Sequence, residues 1–137
     1  MLPCVLTLLV FRGDNKDHSG AVKKLIKATS ASLFYYGDYD PAGSRIGLSM
    51  KLGTQLLLAS LAHIANSQSD NTAFVRLSNL NAFAKQEAIL GQLEQDVAAL
   101  SIEMAAHLQF IRTKHIAITQ ESLMVKQVPM MMAEPLG

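Results

Sequence analysis

The chain has 137 residues, half of them hydrophobic and 17% charged, and its 12 Lys and Arg against 11 Asp and Glu leave a formal net charge of +1. That length fits one ordinary domain, and so apolar a composition excludes a disordered chain. Near-neutral charge provides no bulk attraction to nucleic acid or to an anionic membrane, although a local patch would still suffice for either.

The lone cysteine, Cys4, excludes an internal disulfide and a Cys-rich zinc site, and it reads as a small core hydrophobe. The N-terminal run MLPCVLTLLVF has no basic leader and no small-residue cleavage site. It is also shorter than the ~20 apolar residues a membrane span requires. A soluble, cytoplasmic protein with no membrane partner is expected.

Residues 3–11 are nearly all apolar, the pattern of a strand buried on both faces. Arg12 to Asn15 punctuates that run as a turn. From Ser19, a plausible N-cap, to Thr29 the period becomes helical, with Ala21, Val22, Leu25 and Ile26 on one face and Lys23, Lys24 and Lys27 on the other. Residues 32–36 form a β-prone run that ends at Gly37. Strand, helix and strand in this order predict a βαβ unit with a parallel pair.

A helix is expected after Gly43, carrying Ile46, Met50 and the apolar residues 56–61, with a break near Gly53. Residues 66–72 read as a polar loop and 74–77 as a short strand. Leu90, Leu93, Val97 and Leu100 mark a helix near 81–99. Met104, Leu108 and Ile111 mark another near 102–114, with Ser101 as its N-cap. Residues 116–119 are short and β-branched, and Gln120-Glu121 opens a last piece. With two prolines and no period, 125–137 reads as a flexible tail.

The chemically informative segment is YYGDYDPAGSRIG, residues 35–47. Asp38 and Asp40 stand at i and i+2 where a parallel strand ends, the position at which open α/β sheets hold their ligands. Two carboxylates at close range repel one another, and a divalent cation relieves that repulsion. Mg²⁺ suits one or two carboxylates together with waters and phosphate oxygens. Pro41 stiffens the turn, Gly43 permits close backbone approach, and Arg45 is placed to meet a phosphate. The bland alternative is a surface turn with two solvated acids, or an Asp acting as a helix N-cap.

The same segment resembles the acidic motif of Toprim domains, the metal-binding α/β modules of topoisomerases, primases and related nucleases. The form Gly-Asp-x-Asp-Pro-x-Gly is most similar to the Toprim domains of the topoisomerase VI A subunit and of the nuclease subunit of Wadjet anti-plasmid systems. Residues 100–123, with Ile118-Thr119-Gln120-Glu121 in place of a terminal Arg-Leu-Glu-Gln-Glu-like signature, resemble the helical end of the Wadjet branch. The resemblance covers residues 5 to 124.

It implies an α/β fold of Toprim type, a small parallel sheet with flanking helices and a helical C-terminal part. Residues 1–124 would then be a partial domain. It further implies a Mg²⁺- or Mn²⁺-dependent DNA nuclease or DNA-processing module, with Asp38 and Asp40 as metal ligands and Glu121 completing the catalytic set. Partners would be DNA and the other subunits of an SMC-like plasmid-defence complex. Toprim domains also use a glutamate at the end of their first strand, and no Glu occurs here before Glu87. The chain is therefore expected to be the C-terminal part of a larger protein, with a non-catalytic module acting with a partner as the alternative reading. A phosphotransferase of HAD type also has Asp-x-Asp after a strand, but Pro41-Ala42-Gly43 departs from that pattern.

The four histidines share no ligand spacing, and each reads as a surface or capped group. Tyr35, Tyr36 and Tyr39 read as strand residues with one packed face. The Lys23, Lys24 and Lys27 face, with Arg12 and Lys16, is the best basic patch. It reads as a solvated face or, if DNA binds, as a phosphate contact without sequence readout.

Overall fold

A computed structural model describes the backbone of residues 19–65 and 68–137, and the side chains of 24–65 and 72–137. The chain divides into two compact units, Met1–Ala31 and Ser32–Gly137. The first contains α1 (Ser19–Ala28), the helix its periodicity predicts. The strand expected at 3–11 lies outside the described residues, as do Arg12, Lys16 and the Lys23 side chain. Lys24 and Lys27 are exposed.

The second unit is α/β. It runs β1 (Phe34–Tyr35), α2 (Pro41–Leu48), β2 (Gln55–Ala59), α3 (Leu61–Ala65), α4 (Gln68–Arg76) and α5 (Leu80–Glu94). A 3-10 turn (Val97–Ala99), α6 (Ile102–Lys114), α7 (Gln120–Val125) and β3 (Met130–Ala133) follow. The three strands form one sheet in the order β1-β2-β3. β1 and β2 are parallel, with Tyr35 opposite Leu56. β2 and β3 are antiparallel, with Leu56 opposite Ala133 and Ala59 opposite Met130. The sheet is therefore mixed among the described strands, not purely parallel as expected.

Three local expectations change for physical reasons. Residues 55–59 are a strand and not the continuation of a helix. Gly53 takes a left-handed φ of 91° that ends the turn after α2. The apolar run beyond it is short enough to serve as a central strand, with Leu56, Leu58 and Ala59 buried. Residues 68–76, read as loop and strand, form α4, whose Phe74 is buried against Tyr39 and Phe110 with ring centroids 5.9 and 6.0 Å apart. Core packing outweighs the weak helix propensity of its Ser, Asp and Asn residues here. The stretch read as a flexible tail holds β3. Pro129 and Pro135 flank this strand without interrupting it, so every interior amide of the ladder keeps its donor.

The helical part follows the sequence more closely. α5 starts on Asn79, whose side chain accepts from Ala82 N, and stops at Glu94, short of the expected 99. α6 spans the predicted residues, with the Ser101 hydroxyl accepting from Met104 N. Helix α2 packs on α5 and α6. The core they share with the sheet includes Tyr39, Leu56, Leu90, Met104, Leu108, Ile111, Ile118 and Leu123.

Two glycines separate steric need from mere tolerance. A Cβ on Gly43 would lie 2.1 Å from the Asp38 carbonyl oxygen, whereas one on Gly91, inside α5, would meet nothing within 4 Å. Gly43→Ala is expected to destabilise the fold by about 1–3 kcal/mol through overpacking. Gly91→Ala is expected to stabilise it by roughly 0.5–1 kcal/mol. Urea unfolding midpoints of the two variants check both signs.

Candidate functional site

The acidic turn starts where β1 ends. Asp40 closes it as the N-cap of α2, and Pro41 sits at the first helical position, where its missing N–H is no loss. Asp40 Oδ1 accepts from Gly43 N at 2.6 Å. Its Oδ2 accepts from Gln86 Nε2 at 3.2 Å, while Gln86 Oε1 accepts from Ala42 N at 2.9 Å. Gln86 of α5 thus clamps both the cap and the first turn of α2. Asp40 is 7% exposed. Burial pushes its carboxyl above the ordinary range, the hydrogen bonds from Gly43 and Gln86 oppose that rise, and the nearby Asp38 charge adds to it.

Asp38 is differently placed. It is exposed, and its Oδ1 accepts from Gln120 N at 2.8 Å, the first amide of α7. Thr119 caps the same helix by accepting from Ser122 N. The element that brings α7 here is the pair between Tyr39 and Ile118. Tyr39 N donates to Ile118 O at 2.8 Å and Ile118 N donates to Tyr39 O at 3.1 Å. Glu121 lies in the first turn of α7, one residue beyond the amide that binds Asp38, and is exposed. The three sequence-predicted residues therefore share one locality. Asp38 and Glu121 face solvent, whereas Asp40 is turned inward. Among the described residues no group of three or more His, Cys, Asp or Glu side chains is arranged to hold a metal ion. Arg45 is exposed in the last turn of α2.

Beneath the turn, Tyr39 is buried and its phenol oxygen lies 2.6 Å from His107 Nδ1. Burial raises the phenol's pKa and lowers the imidazole's to about 4, so at neutral pH the phenol donates to an uncharged ring. Sequence reading placed His107 at the surface and did not find Gln86. Both carry the same signal. Gln86 stands in the Phe83–Leu90 stripe and His107 in the Met104–Ile111 stripe, each a polar residue on an otherwise apolar helical face.

Residues 3–132 match the family described as Domain of unknown function (DUF7281). The chain belongs to that family. No curated protein and no solved structure matches it. The match of this DUF7281 chain spans the acidic turn, Gln86, His107 and the start of α7 together. Among the described residues no helix is long and apolar enough to cross a membrane.

Two outcomes follow from this geometry. Asp40→Ala is expected to lose roughly 1–3 kcal/mol, because it removes a cap and leaves the Gln86 amide without its acceptor. Asp40→Asn keeps the acceptor for Gly43 N but sets an amide donor against the Gln86 amide, so it is expected to lose only somewhat less than Asp40→Ala. Chemical denaturation of the pair measures the difference. The His107 pKa is depressed in the fold, so the unfolded chain binds the extra proton between about pH 6.5 and 4. Its stabilising share is complete above pH 6.5 and is lost as pH falls to 4, by about 3 kcal/mol. The stability difference between wild type and His107→Leu, measured at pH 7 and at pH 4.5, is expected to shrink accordingly. An unchanged difference would mean that the imidazole is not held neutral.

Proposed function

We propose that the Asp38–Asp40 turn is a divalent-cation site in a Toprim-like DNA-processing module, with Mg²⁺ or Mn²⁺ as the ion. The observation that carries this reading is the placement of Asp38. It is an exposed carboxylate at the end of a parallel strand, 2.8 Å from the first amide of α7, with Asp40 behind it and Glu121 on the adjoining turn. The donor set fits a hard cation that retains much of its water, since such ions accept one or two carboxylates and take their other ligands from solvent and phosphate.

Each residue then has a distinct task. Asp38 offers the accessible oxygens. Asp40, clamped by Gly43 and Gln86, fixes the direction of the turn and adds charge at short range. Glu121 supplies further negative charge from α7, and Arg45, in the last turn of α2, is available to a phosphate. The ion, when bound, would supply charge stabilisation at a scissile phosphate. Cleavage of DNA, and work beside the subunits of an SMC-like plasmid-defence complex, belong to this proposal through the Toprim resemblance.

A second reading is favoured by one specific observation. Every residue of Asp40-Pro41-Ala42-Gly43 has a structural role: cap, first helical position, clamp to Gln86 and close approach to Asp38. On that reading the turn is a joint, and the module acts in assembly without catalysis.

Two measurements on the full chain separate the readings. Calorimetric titration with Mn²⁺ is expected to give weak binding that Asp38→Asn abolishes and Asp40→Asn weakens, with both variants folded. Supercoiled plasmid with Mg²⁺ or Mn²⁺ is expected to be nicked by wild type and left intact by Asp38→Ala. Absence of ion binding in the wild type, or nicking that survives Asp38→Ala, would remove the metal-site assignment. Ion binding without nicking would keep the site and favour the assembly role.

A further inference from the structure

Away from the acidic turn, α3, α4 and the connection from α7 to β3 enclose a groove of about 510 Å³. Its floor is the outer wall of the core. Ile64 and Phe74 are buried there, and Leu77 and Val128 are half-buried. His63, Arg76 and Lys126 stand on its rim, all exposed. Among the described residues no carboxylate lines the groove, and neither Arg76 nor Lys126 has an acidic partner. Cations left uncompensated above a low-dielectric floor raise the local concentration of anions.

The two cations alone have a simpler explanation. Arg76 ends α4 and Lys126 caps α7, where positive charge complements the helix dipole. That explanation does not reach Gln127. This residue adopts a left-handed φ of 51° directly after α7. Its amide donates to Met124 O at 3.1 Å and the Val128 amide donates to Leu123 O at 3.0 Å, the paired bonds of a Schellman cap. Glycine is the favoured residue at that position, and a side chain there is strained. His115 ends α6 with the same left-handed backbone, at a φ of 55°, so the conformation itself marks a helix stop; what sets Gln127 apart is that its side chain lines the groove.

We propose that the groove binds a small amphiphilic organic anion. Its apolar body rests on Ile64, Phe74 and Val128, its charged group lies between Arg76 and Lys126, and the Gln127 side-chain carboxamide supplies a further hydrogen bond. The volume falls within the range of small-molecule sites. A nucleic-acid strand is disfavoured, because Phe74 is 4% exposed and offers no face to a base, which leaves His63 as the one ring among the groove's described residues able to stack, short of the successive platforms a strand uses. This site is independent of the acidic turn and of the function proposed for it.

Anilinonaphthalene sulfonate, an apolar ring system with one negative charge, is a suitable probe. Phenylnaphthylamine is its uncharged counterpart. The native full chain is expected to bind the sulfonate saturably, with amide chemical-shift changes centred on Ile64, Arg76 and Val128. Replacing both cations (Arg76→Gln with Lys126→Gln) is expected to weaken binding by about tenfold or more. Gln127→Gly is expected to raise the urea midpoint while weakening binding, a combination that damage to the fold would not produce. Equal affinity for the uncharged probe, unchanged affinity in the double variant, or shifts centred instead on Phe110 and Thr113 of α6 would each overturn the proposal.

Discussion

Tyr39 lies between the two aspartates and anchors the turn that carries both. Its backbone pairs with Ile118, its ring packs edge-on against Phe74, and its hydroxyl meets His107 inside the core. A phenol buried this deeply requires a hydrogen-bond partner, and a neutral imidazole supplies one without burying a charge. Because side chains alternate along extended backbone, fixing Tyr39 inward turns Asp38 toward solvent, while the start of α2 encloses Asp40. Asp38 reaches the first amide of α7 and Asp40 caps α2. The acidic turn is therefore a by-product of how one aromatic residue is seated.

The two aspartates look equivalent in sequence and are not equivalent in space. Asp40 is enclosed, with a backbone amide and the Gln86 amide on its two oxygens, and its surroundings penalise the charged form. Asp38 has one amide partner and open solvent. A pair of carboxylates so divided does not make a symmetric cage. The cation site proposed above would rest on Asp38 as its one accessible donor, with the enclosed Asp40 behind it.

Much of this was legible in the sequence, and the unread parts have identifiable causes. The Met104–Leu108–Ile111 stripe with Ser101 before it gives α6 because cap and period agree. The placement of Asp38 and Asp40 after β1 follows from the apolar run and the glycine that ends it. The run 55–59 was ambiguous, since four or five apolar residues fit a buried strand or a buried helix equally well. β3 was hidden because three methionines carry no β-branched signal, and only pairing with β2 orders them. Gln86 is a contact made across 46 positions of chain. Its place within an apolar stripe was visible, whereas its partner was not.

Two of the bonds that hold the acidic turn in place span long stretches of chain, 82 positions for Gln120 to Asp38 and 68 for Tyr39 to His107. Each must close a large loop before it returns any stabilisation, which places these contacts among the slow events of folding. Helices α5 and α6 can form locally and early, yet Asp38 remains unanchored until α7 docks. The same topology works in reverse. α7 is only six residues long, and its detachment would release Asp38 while α5 and α6 stay packed. Whatever meets the carboxylate of Asp38 therefore meets a feature that only the completed fold possesses, and that a partial opening is enough to dismantle.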